Sequence, residues 1–183
     1  TGHVRPGQGN TFDRAFSNLN ALEARSKRRT DAVHKTEKES DIIEGFEDAS
    51  LACDFDGDWV RTTTKAKDGS YSYASKDITH DESSSATYSA DISRVSFDYY
   101  VSSEYGWDEF FFYIDSSYEV EESGDTGWLF YEKTGMAAGD HSLEWKYEKD
   151  GSASESNDQV YLDTLSITFQ SDQRTTDFDL SVI

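Results

Sequence analysis

The chain alternates hydrophobic and polar residues in several short runs. The run 94–101 places apolar residues at every second position, and the run 141–147 repeats this spacing. A period of two is typical of a β-strand with one buried face. The run 159–169 changes parity after Leu162, which predicts a β-bulge. Residues 109–114 are apolar at nearly every position, which predicts a central strand of a sheet.

Short turn sequences separate these runs. KDGSY, SSEYGWDE, ESGDTG, AAGDH and KDGSASESND are rich in Gly, Asp and Ser, which turns favour. Many short strands, such turns and almost no helical pattern predict an all-β protein, an antiparallel jelly-roll β-sandwich. We expect the sandwich over residues 44–170, with residues 171–183 as a C-terminal strand or tail.

The first 43 residues follow another pattern and are expected to form an N-terminal docking arm. The leader TGHVRPGQGN has three glycines and the single proline of the chain, and apolar residues then recur at the spacing of one short amphipathic helix. Such a helix is not stable alone, so it must pack on a partner, on its own copies or on the sandwich. The assembly residues that we assign are Phe12, Phe16, Leu19, Leu22, Arg25, Arg28 and Arg29.

Charge sharpens this division of the chain. There are 37 acidic and 17 basic residues, a net charge of −20, whereas residues 1–38 hold eight basic and four acidic residues. An acidic surface repels itself at ordinary salt and is screened at molar salt, and a lysine-poor surface of this kind resembles those of halophilic proteins. We expect the basic arm to contact an acidic neighbouring subunit, and RSKRR (25–29) not to bind nucleic acid.

Seven motifs follow one another in an order that resembles a known family. They are GFED (45–48), DFDGDW (54–59), DGSYSYAS (68–75), SFDYYVSSE (96–104), DEFFFYID (108–115), GDHSLEWKYEKDGS (139–152) and VYLDTLSI (160–167). Together they resemble the jelly-roll domains of the cleaved-adhesin and MAM-like type, found in bacterial and archaeal surface proteins. The resemblance covers roughly residues 44–169. It implies a two-sheet jelly roll with an adhesive, carbohydrate-binding or purely structural role.

The stretch DFDGDWV supplies one candidate calcium site. Asp54, Asp56 and Asp58 stand on alternate positions, and Ca²⁺ accepts about six to eight oxygens in loose geometry. An EF-hand is excluded, because glycine falls at the fourth position and Lys65 at the twelfth. The alternative is an acidic turn whose side chains cap backbone N–H groups. Trp59, directly after these residues, is expected in the core.

The family resemblance implies a second candidate calcium site. It would join an acidic residue near the first strand, Glu47 or Asp48, with Asp163 near the last strand. The alternative for Asp163 is an inward carboxylate bonded to a turn. Cys53, the single cysteine, is expected to be a small buried residue.

Three aromatic residues are candidates for ligand binding. Tyr105, Trp107 and Trp128 lie in or beside predicted turns, and exposed rings stack on the faces of sugars. The alternative is that these rings fill the core or an interface.

No catalytic arrangement stands out in the sequence. The four histidines are scattered, and neither HExxH nor GxSxG occurs. Glu119, Glu121 and Glu122 could supply the carboxylate pair of a glycoside hydrolase, but so acidic a chain contains such pairs by coincidence. We therefore expect no enzymatic activity. No apolar run approaches the roughly 20 residues of a membrane span, so we expect no membrane insertion.

The leading hypothesis is a non-enzymatic virion structural protein of a halophilic virus. The arm of inverted charge, the salt-adapted domain and the lack of an apolar leader favour a capsid decoration, fibre or tail component. We expect a homo-oligomer that contacts other virion subunits through residues 1–43 and stabilises the capsid or attaches to a host-surface glycan, with calcium as cofactor. The alternative is an extracellular or cell-surface adhesin or carbohydrate-binding module of a halophile.

Overall fold

The computed structural model describes residues 41–152 and 157–170. Within these ranges all the regular secondary structure is β-strand. The alternating runs form the long strands, and the segments KDGSY, SSEYGWDE and AAGDH lie largely between strands. The strands are β1 (Ile42–Glu44), β2 (Asp56–Gly57), β3 (Val60–Thr62), β4 (Ser72–Ala74), β5 (Ser83–Ala90), β6 (Ile92–Ser102), β7 (Glu109–Ile114), β8 (Ser117–Ser123), β9 (Asp125–Thr134), β10 (His141–Glu148) and β11 (Gln159–Phe169).

The strands pair into two antiparallel sheets. The six-stranded sheet has the order β3-β4-β11-β6-β9, with β1 also paired to β11, and the five-stranded sheet has the order β2-β5-β10-β7-β8. Only Gly124 separates β8 from β9, so the chain passes there from the edge of one sheet to the edge of the other. The predicted all-β antiparallel sandwich is confirmed.

Aromatic side chains from both sheets fill the space between them. The Phe97 ring on β6 lies 4.8 Å from Phe112 on β7 and 5.6 Å from Trp145 on β10. All three side chains are fully buried, because alternate residues of each strand face the other sheet. Trp59 and Cys53 are also buried, as the sequence predicts.

The predicted bulge in the last strand is confirmed. The register between β11 and β6 shifts between Asp163 and Ser166, and Thr164 has a positive φ of 48°. The extra residue restores the inward direction of the apolar side chains after the parity change at Leu162, so Leu165 and Ile167 are buried.

Trp128 lies inside β9 and not in or beside a turn as predicted. The predicted turn ESGDTG is reduced to Gly124, whose φ of +82° lets the chain pass from β8 to β9 within one residue. The strand therefore begins at Asp125, three residues before Trp128.

The chain divides into two units, and all described residues belong to the second one, Ser40–Ile183. Residues 1–40 of the predicted docking arm and the predicted C-terminal segment 171–183 lie outside the described residues. Ile42 and Ile43, assigned to the arm, instead belong to β1 of the sandwich, because they pair with β11. Within the part of the chain that the structure describes, no helix has the length and apolarity needed to cross a membrane.

Candidate functional site

Three aromatic rings lie together on the outer face of the five-stranded sheet. Phe111 and Tyr113 point outward from β7, since Phe110 and Phe112 point into the core. The Phe111 ring is 6.0 Å from Tyr113 and 5.9 Å from Tyr118 of β8, and the two tyrosine rings are 6.0 Å apart. We call Phe111, Tyr113 and Tyr118 the aromatic triad. Tyr118 is 49% exposed, and the other two rings are half-buried.

A tight turn brings Tyr118 beside the other two rings. The turn residues between β7 and β8, Asp115 and Ser116, have φ values of 52° and 62°, as in a type I′ hairpin turn. This two-residue turn places Tyr118 directly opposite Tyr113, and a register shift just beyond this pair places Glu121 opposite Phe111. Aromatic pairs at such cross-strand positions stabilise a sheet, so the triad is preformed.

Charged side chains surround the triad. Phe111 lies between Lys146 of β10 and Glu121 of β8. The Tyr118 hydroxyl donates a hydrogen bond to the Glu121 carboxylate. Glu144 is the cross-strand neighbour of Tyr113. Carboxylates accept hydrogen bonds strongly, so the rings are framed by acceptors for hydroxyl groups.

A further pair of carboxylates lies at one end of this face. Glu148 is directly opposite Glu109, and Lys146 Nζ lies 2.7 Å from Glu148 Oε1. Burial, and then the charges of Glu121 and Glu148, raise the pKa of Glu109 above its usual value. The triad is thus framed by four glutamates and one lysine. Because negative charges outnumber positive ones here, the local potential disfavours anions.

The turn between β6 and β7 carries two of the predicted ligand-binding residues. Tyr105 and Trp107 are both largely exposed. The backbone N–H of Gly106 donates to Ser123 Oγ (2.9 Å), and Ser123 is opposite Glu109. Tyr105 and Trp107 therefore lie on a turn at the Glu109 end of the triad face.

Trp128, the third predicted ligand-binding residue, lies on a different surface. It belongs to the six-stranded sheet, where its ring meets the edge of Tyr100 at 5.7 Å. Lys65 Nζ lies 3.4 Å from the centre of the Tyr100 ring, and the Tyr100 hydroxyl donates to Asp125. Tyr100 already has partners on its ring and its hydroxyl, so this surface is less open to a ligand.

Sequence reasoning missed the aromatic triad. EFFFYI is apolar on both faces, which is equally typical of a strand covered on both sides. The strand is interior to its sheet, as predicted, but the described part of the chain covers only one of its faces. One signal in the sequence could have identified the site. Phe111 and Tyr113 alternate along β7, and Tyr118 follows just beyond a two-residue turn.

The three glutamates considered as a possible hydrolase pair do not form one cluster. Glu121 is opposite Phe111 on the outer face of β8, whereas Glu122 is opposite the buried Phe110. Glu119 instead accepts hydrogen bonds from Tyr131 and Lys133 of β9.

Two of the predicted calcium ligands bind the backbone of one loop. Asp163 Oδ2 accepts from the N–H groups of Lys67 (2.7 Å) and Asp68 (3.1 Å), and Oδ1 accepts from Thr164 (2.7 Å). Asp163 is fully buried, and this burial raises its pKa despite the three hydrogen bonds. Glu47 Oε1 accepts from the N–H groups of residues 70 and 71 (2.9 and 2.8 Å).

The loop 65–71 must come close to Glu47 to be held in this way. Gly69 has a φ of +62°, and a Cβ atom there would lie 2.5 Å from the Glu47 carboxylate. Only glycine combines this left-handed backbone with this close approach.

The aspartates of DFDGDWV have separate surroundings. Asp56 and Gly57 form β2, and Asp58 Oδ1 accepts from Ser84 Oγ (2.7 Å) and the N–H of Ser85 (3.0 Å). Asp54 and Asp48 are exposed. Among the described residues, no three His, Cys, Asp or Glu side chains converge as metal ligands would. Calcium binding at either site stays a prediction.

We expect a pH-sensitive contact at the turn that positions Tyr118. His141 Nδ1 lies 2.6 Å from Asp115 Oδ2, and the Asp115 carboxylate raises the pKa of His141. In turn, the hydrogen bonds from His141 and from the N–H of Ser142 lower the pKa of Asp115. Because the histidine pKa is raised on folding, its contribution to stability is complete below the unfolded value of about 6.5 and is lost as pH rises through the folded pKa. An NMR titration of the histidine ring should show a pKa above 6.5, which Asp115→Asn lowers. A ring that titrates identically in both proteins would contradict this contact.

Comparison with solved structures places the fold among β-sandwich domains. No family model and no curated protein matches the sequence. The K2 cleaved-adhesin domain of Lys-gingipain aligns with a TM-score of 0.50 at 14% identity, over 72% of this chain and 99% of that chain. A xylan-binding domain of carbohydrate-binding module family 22 aligns with a TM-score of 0.48 at 12% identity, over 74% and 96% of the two chains.

A third aligned structure is much longer than this chain. The secreted serine protease VesC from Vibrio cholerae aligns with a TM-score of 0.47 at 15% identity, over 55% of this chain and only 22% of the protease. At such identities the comparisons show the fold alone. The jelly-roll type of fold that the cleaved-adhesin resemblance implies is confirmed.

Proposed function

We propose that this chain is a non-enzymatic binding module that holds a neutral glycan on the outer face of its five-stranded sheet. The observation that carries the proposal is the aromatic triad, ringed by glutamates on a sheet face that no other described residues cover. The fold shared with an adhesin domain of Lys-gingipain supports an adhesive role and an extracellular or cell-surface location.

The triad supplies the apolar part of recognition. A sugar ring has one face of C–H groups, which packs on an aromatic face and removes apolar surface from water. Phe111, Tyr113 and Tyr118 lie about one ring diameter apart and are held by strand pairing. A preformed surface loses little conformational entropy on binding.

The surrounding glutamates supply the polar part of recognition. Glu121 and Glu144 flank the triad on its two sides and can accept hydrogen bonds from sugar hydroxyl groups. Lys146, opposite Phe111 on β10, can donate to a ring or hydroxyl oxygen. This mixture of a few polar groups around apolar rings is typical of small-molecule sites.

The charge of the face selects against anionic ligands. Four glutamates and one lysine frame the triad, on a chain of net charge −20. Uronic-acid polymers and nucleic acids would be repelled, more strongly at low salt. The ligand class that fits is a neutral oligosaccharide or polysaccharide.

The virion role and the halophilic setting stay predictions. Both rest on the overall charge and on residues 1–43, most of which lie outside the described residues. A virion protein could itself use the triad face to attach to a host glycan.

Tyr113→Ala is expected to weaken binding of a neutral polysaccharide by about tenfold or more, because it removes a ring that lies 6.0 Å from each of the other two rings of the triad. Affinity electrophoresis or calorimetry with soluble neutral xylan, galactan and β-glucan, and with polygalacturonate as the anionic comparison, measures this. Phe130→Ala is the matched control, since Phe130 is 61% exposed on the six-stranded sheet. Binding lost with Phe130→Ala and kept with Tyr113→Ala would place the site on the other sheet. Binding to none of the neutral polymers would reject the proposed ligand class.

A further inference from the structure

The outer edge of β9 is not paired with any strand among the described residues. β9 is the last strand of the six-stranded sheet, and its ten residues pair only with β6. A long edge strand offers its free N–H and C=O groups to any other strand. Leu129 and Tyr131, which pack against the core from β9, are only partly buried. Glu119 of β8 contacts Tyr131 and Lys133 across this edge, so among the described residues side chains bridge the edge of the core but no strand covers it.

The chain leaves the described sandwich close to the end of β9. β11 ends at Phe169, opposite Ile92 at the start of β6, and Thr134 at the end of β9 is opposite Arg94. The side-chain amide of Gln170 donates to the carbonyl of Met136 (2.9 Å) directly after β9.

The Gln170 side-chain amide makes two further hydrogen bonds, and the Gln170 backbone makes another. The amide donates to Ala137 O (3.1 Å) and Ile92 O (3.3 Å), and the Gln170 N–H donates to Asp91 O (2.9 Å). These contacts fix the point from which residue 171 departs.

The segment after Gln170 is long enough to reach the free edge. From β11 to the position beyond β9 are three strand spacings, about 14 Å. Residues 171–174 span about 13 Å when extended, and Gln170 already leans toward β9. Residues 175–183 then remain, about 30 Å of strand, beside a β9 of similar length. Because β11 and β9 run in the same direction, a segment that turns back is antiparallel to β9.

The sequence of this segment has the pattern of a half-buried strand. In TTDFDLSVI, Phe178, Leu180 and Val182 alternate with Asp177, Asp179 and Ser181. Such alternation predicts a strand with one apolar face. If the three apolar residues face the core, they pack beside Leu129 and Tyr131, and the polar residues between them face water.

We propose that residues 175–183 add to the six-stranded sheet of their own chain as an antiparallel strand along β9. This strand satisfies the free edge of β9, closes the core beside Leu129 and Tyr131, and prevents edge-to-edge association of sandwiches. The proposal is independent of glycan binding, since it concerns the sheet that lacks the aromatic triad.

Hydrogen exchange of the full chain, followed by mass spectrometry, tests the proposal. Leu180→Lys places a charge on the buried face of the proposed strand and is expected to speed exchange in β9 by about tenfold or more. Ser181→Lys, one residue further, places the same charge toward water and should leave β9 unchanged. Exchange in β10 should be equal in all three proteins, which shows that the sandwich remains folded.

The unaltered chain supplies two further readouts, the amide protection within residues 175–183 and light scattering. In the unaltered chain, backbone N–H groups within residues 175–183 should be protected, and unprotected amides there would overturn the proposal. Equal β9 exchange in Leu180→Lys, Ser181→Lys and the unaltered chain would also overturn it. Light scattering decides the source of the strand. A dimer whose β9 protection falls on dilution would assign the strand to a second copy and reject pairing within one chain.

Discussion

Replacing Lys149 by methionine is expected to lower the free energy of unfolding by about 3–5 kcal/mol. The Lys149 side chain is 1% exposed, and its Nζ lies 2.6 Å from Asp158 Oδ2 and 3.6 Å from Asp108 Oδ2. Asp108 is itself fully buried. Methionine keeps the apolar stem of the lysine but leaves two carboxylates near each other in a poorly hydrated place, and an uncompensated buried charge is costly.

Urea unfolding at fixed pH and salt measures the loss, and Lys146→Met is the matched control. Lys146 is three residues away and also contacts a carboxylate, Glu148, at 2.7 Å, but its side chain is 28% exposed and that of Glu148 is 44% exposed. An exposed pair of this kind contributes about 0–1 kcal/mol. Equal losses in the two variants would show that burial does not strengthen the Lys149 contacts.

A double variant tests whether the cause is charge. Adding Asp158→Asn to Lys149→Met removes one of the two uncompensated carboxylates and should recover part of the lost stability. Residues in one ion-pair network couple, so the two changes should not be additive. Additive losses would instead assign the effect of Lys149→Met to packing.

Much of the fold could be predicted because the pattern of apolar residues within a strand shows which of its faces is buried. Each residue two positions along a strand returns to the same face, so the apolar residues of β6 and β10 identify the core directly. The bulge near Asp163 was predictable for the same reason, since a change of parity requires an extra residue. The burial of Trp59 follows from its size and apolarity.

The candidate site was much less predictable, because its position depends on which strands become neighbours. Phe111 and Tyr113 are apolar like their buried neighbours, and only the absence of a covering layer over β7 among the described residues makes them a surface. Tyr118 joins them through the tight turn between β7 and β8. The sequence predicts a turn beside Trp128, but the chain passes from β8 to β9 through Gly124 alone, without a longer loop.

Buried charge was also invisible in the sequence. Lys146 and Lys149 are both parts of the polar run KYEKDG, where lysine usually faces water. What distinguishes Lys149 is its contact with Asp108 and Asp158, which the topology brings from other strand ends. Local pattern contains no information about such pairing.

Asp163→Ala is expected to release the loop 65–71 and to lower the free energy of unfolding by about 2–4 kcal/mol. The carboxylate accepts three backbone hydrogen bonds, two of them from Lys67 and Asp68. Alanine leaves these N–H groups without their acceptor unless the loop opens to water. Urea unfolding gives the loss, and hydrogen exchange within residues 65–71 should rise most. Asp68→Ala is the control, because it removes an exposed carboxylate from the same loop but keeps the backbone N–H.

A chelator separates two uses of the Asp163 carboxylate. If its hydrogen bonds to the loop account for its contribution, the unaltered chain unfolds at the same urea concentration with calcium and with chelator. If the carboxylate also holds calcium, chelator destabilises the unaltered chain but leaves Asp163→Ala unchanged, because only a ligand bound to the folded state shifts the equilibrium. Glu47→Gln then locates such an ion, since Glu47 binds the other end of the same loop. Equal stability of Asp163→Ala and the unaltered chain in both solutions would contradict both uses and leave the loop held by Glu47.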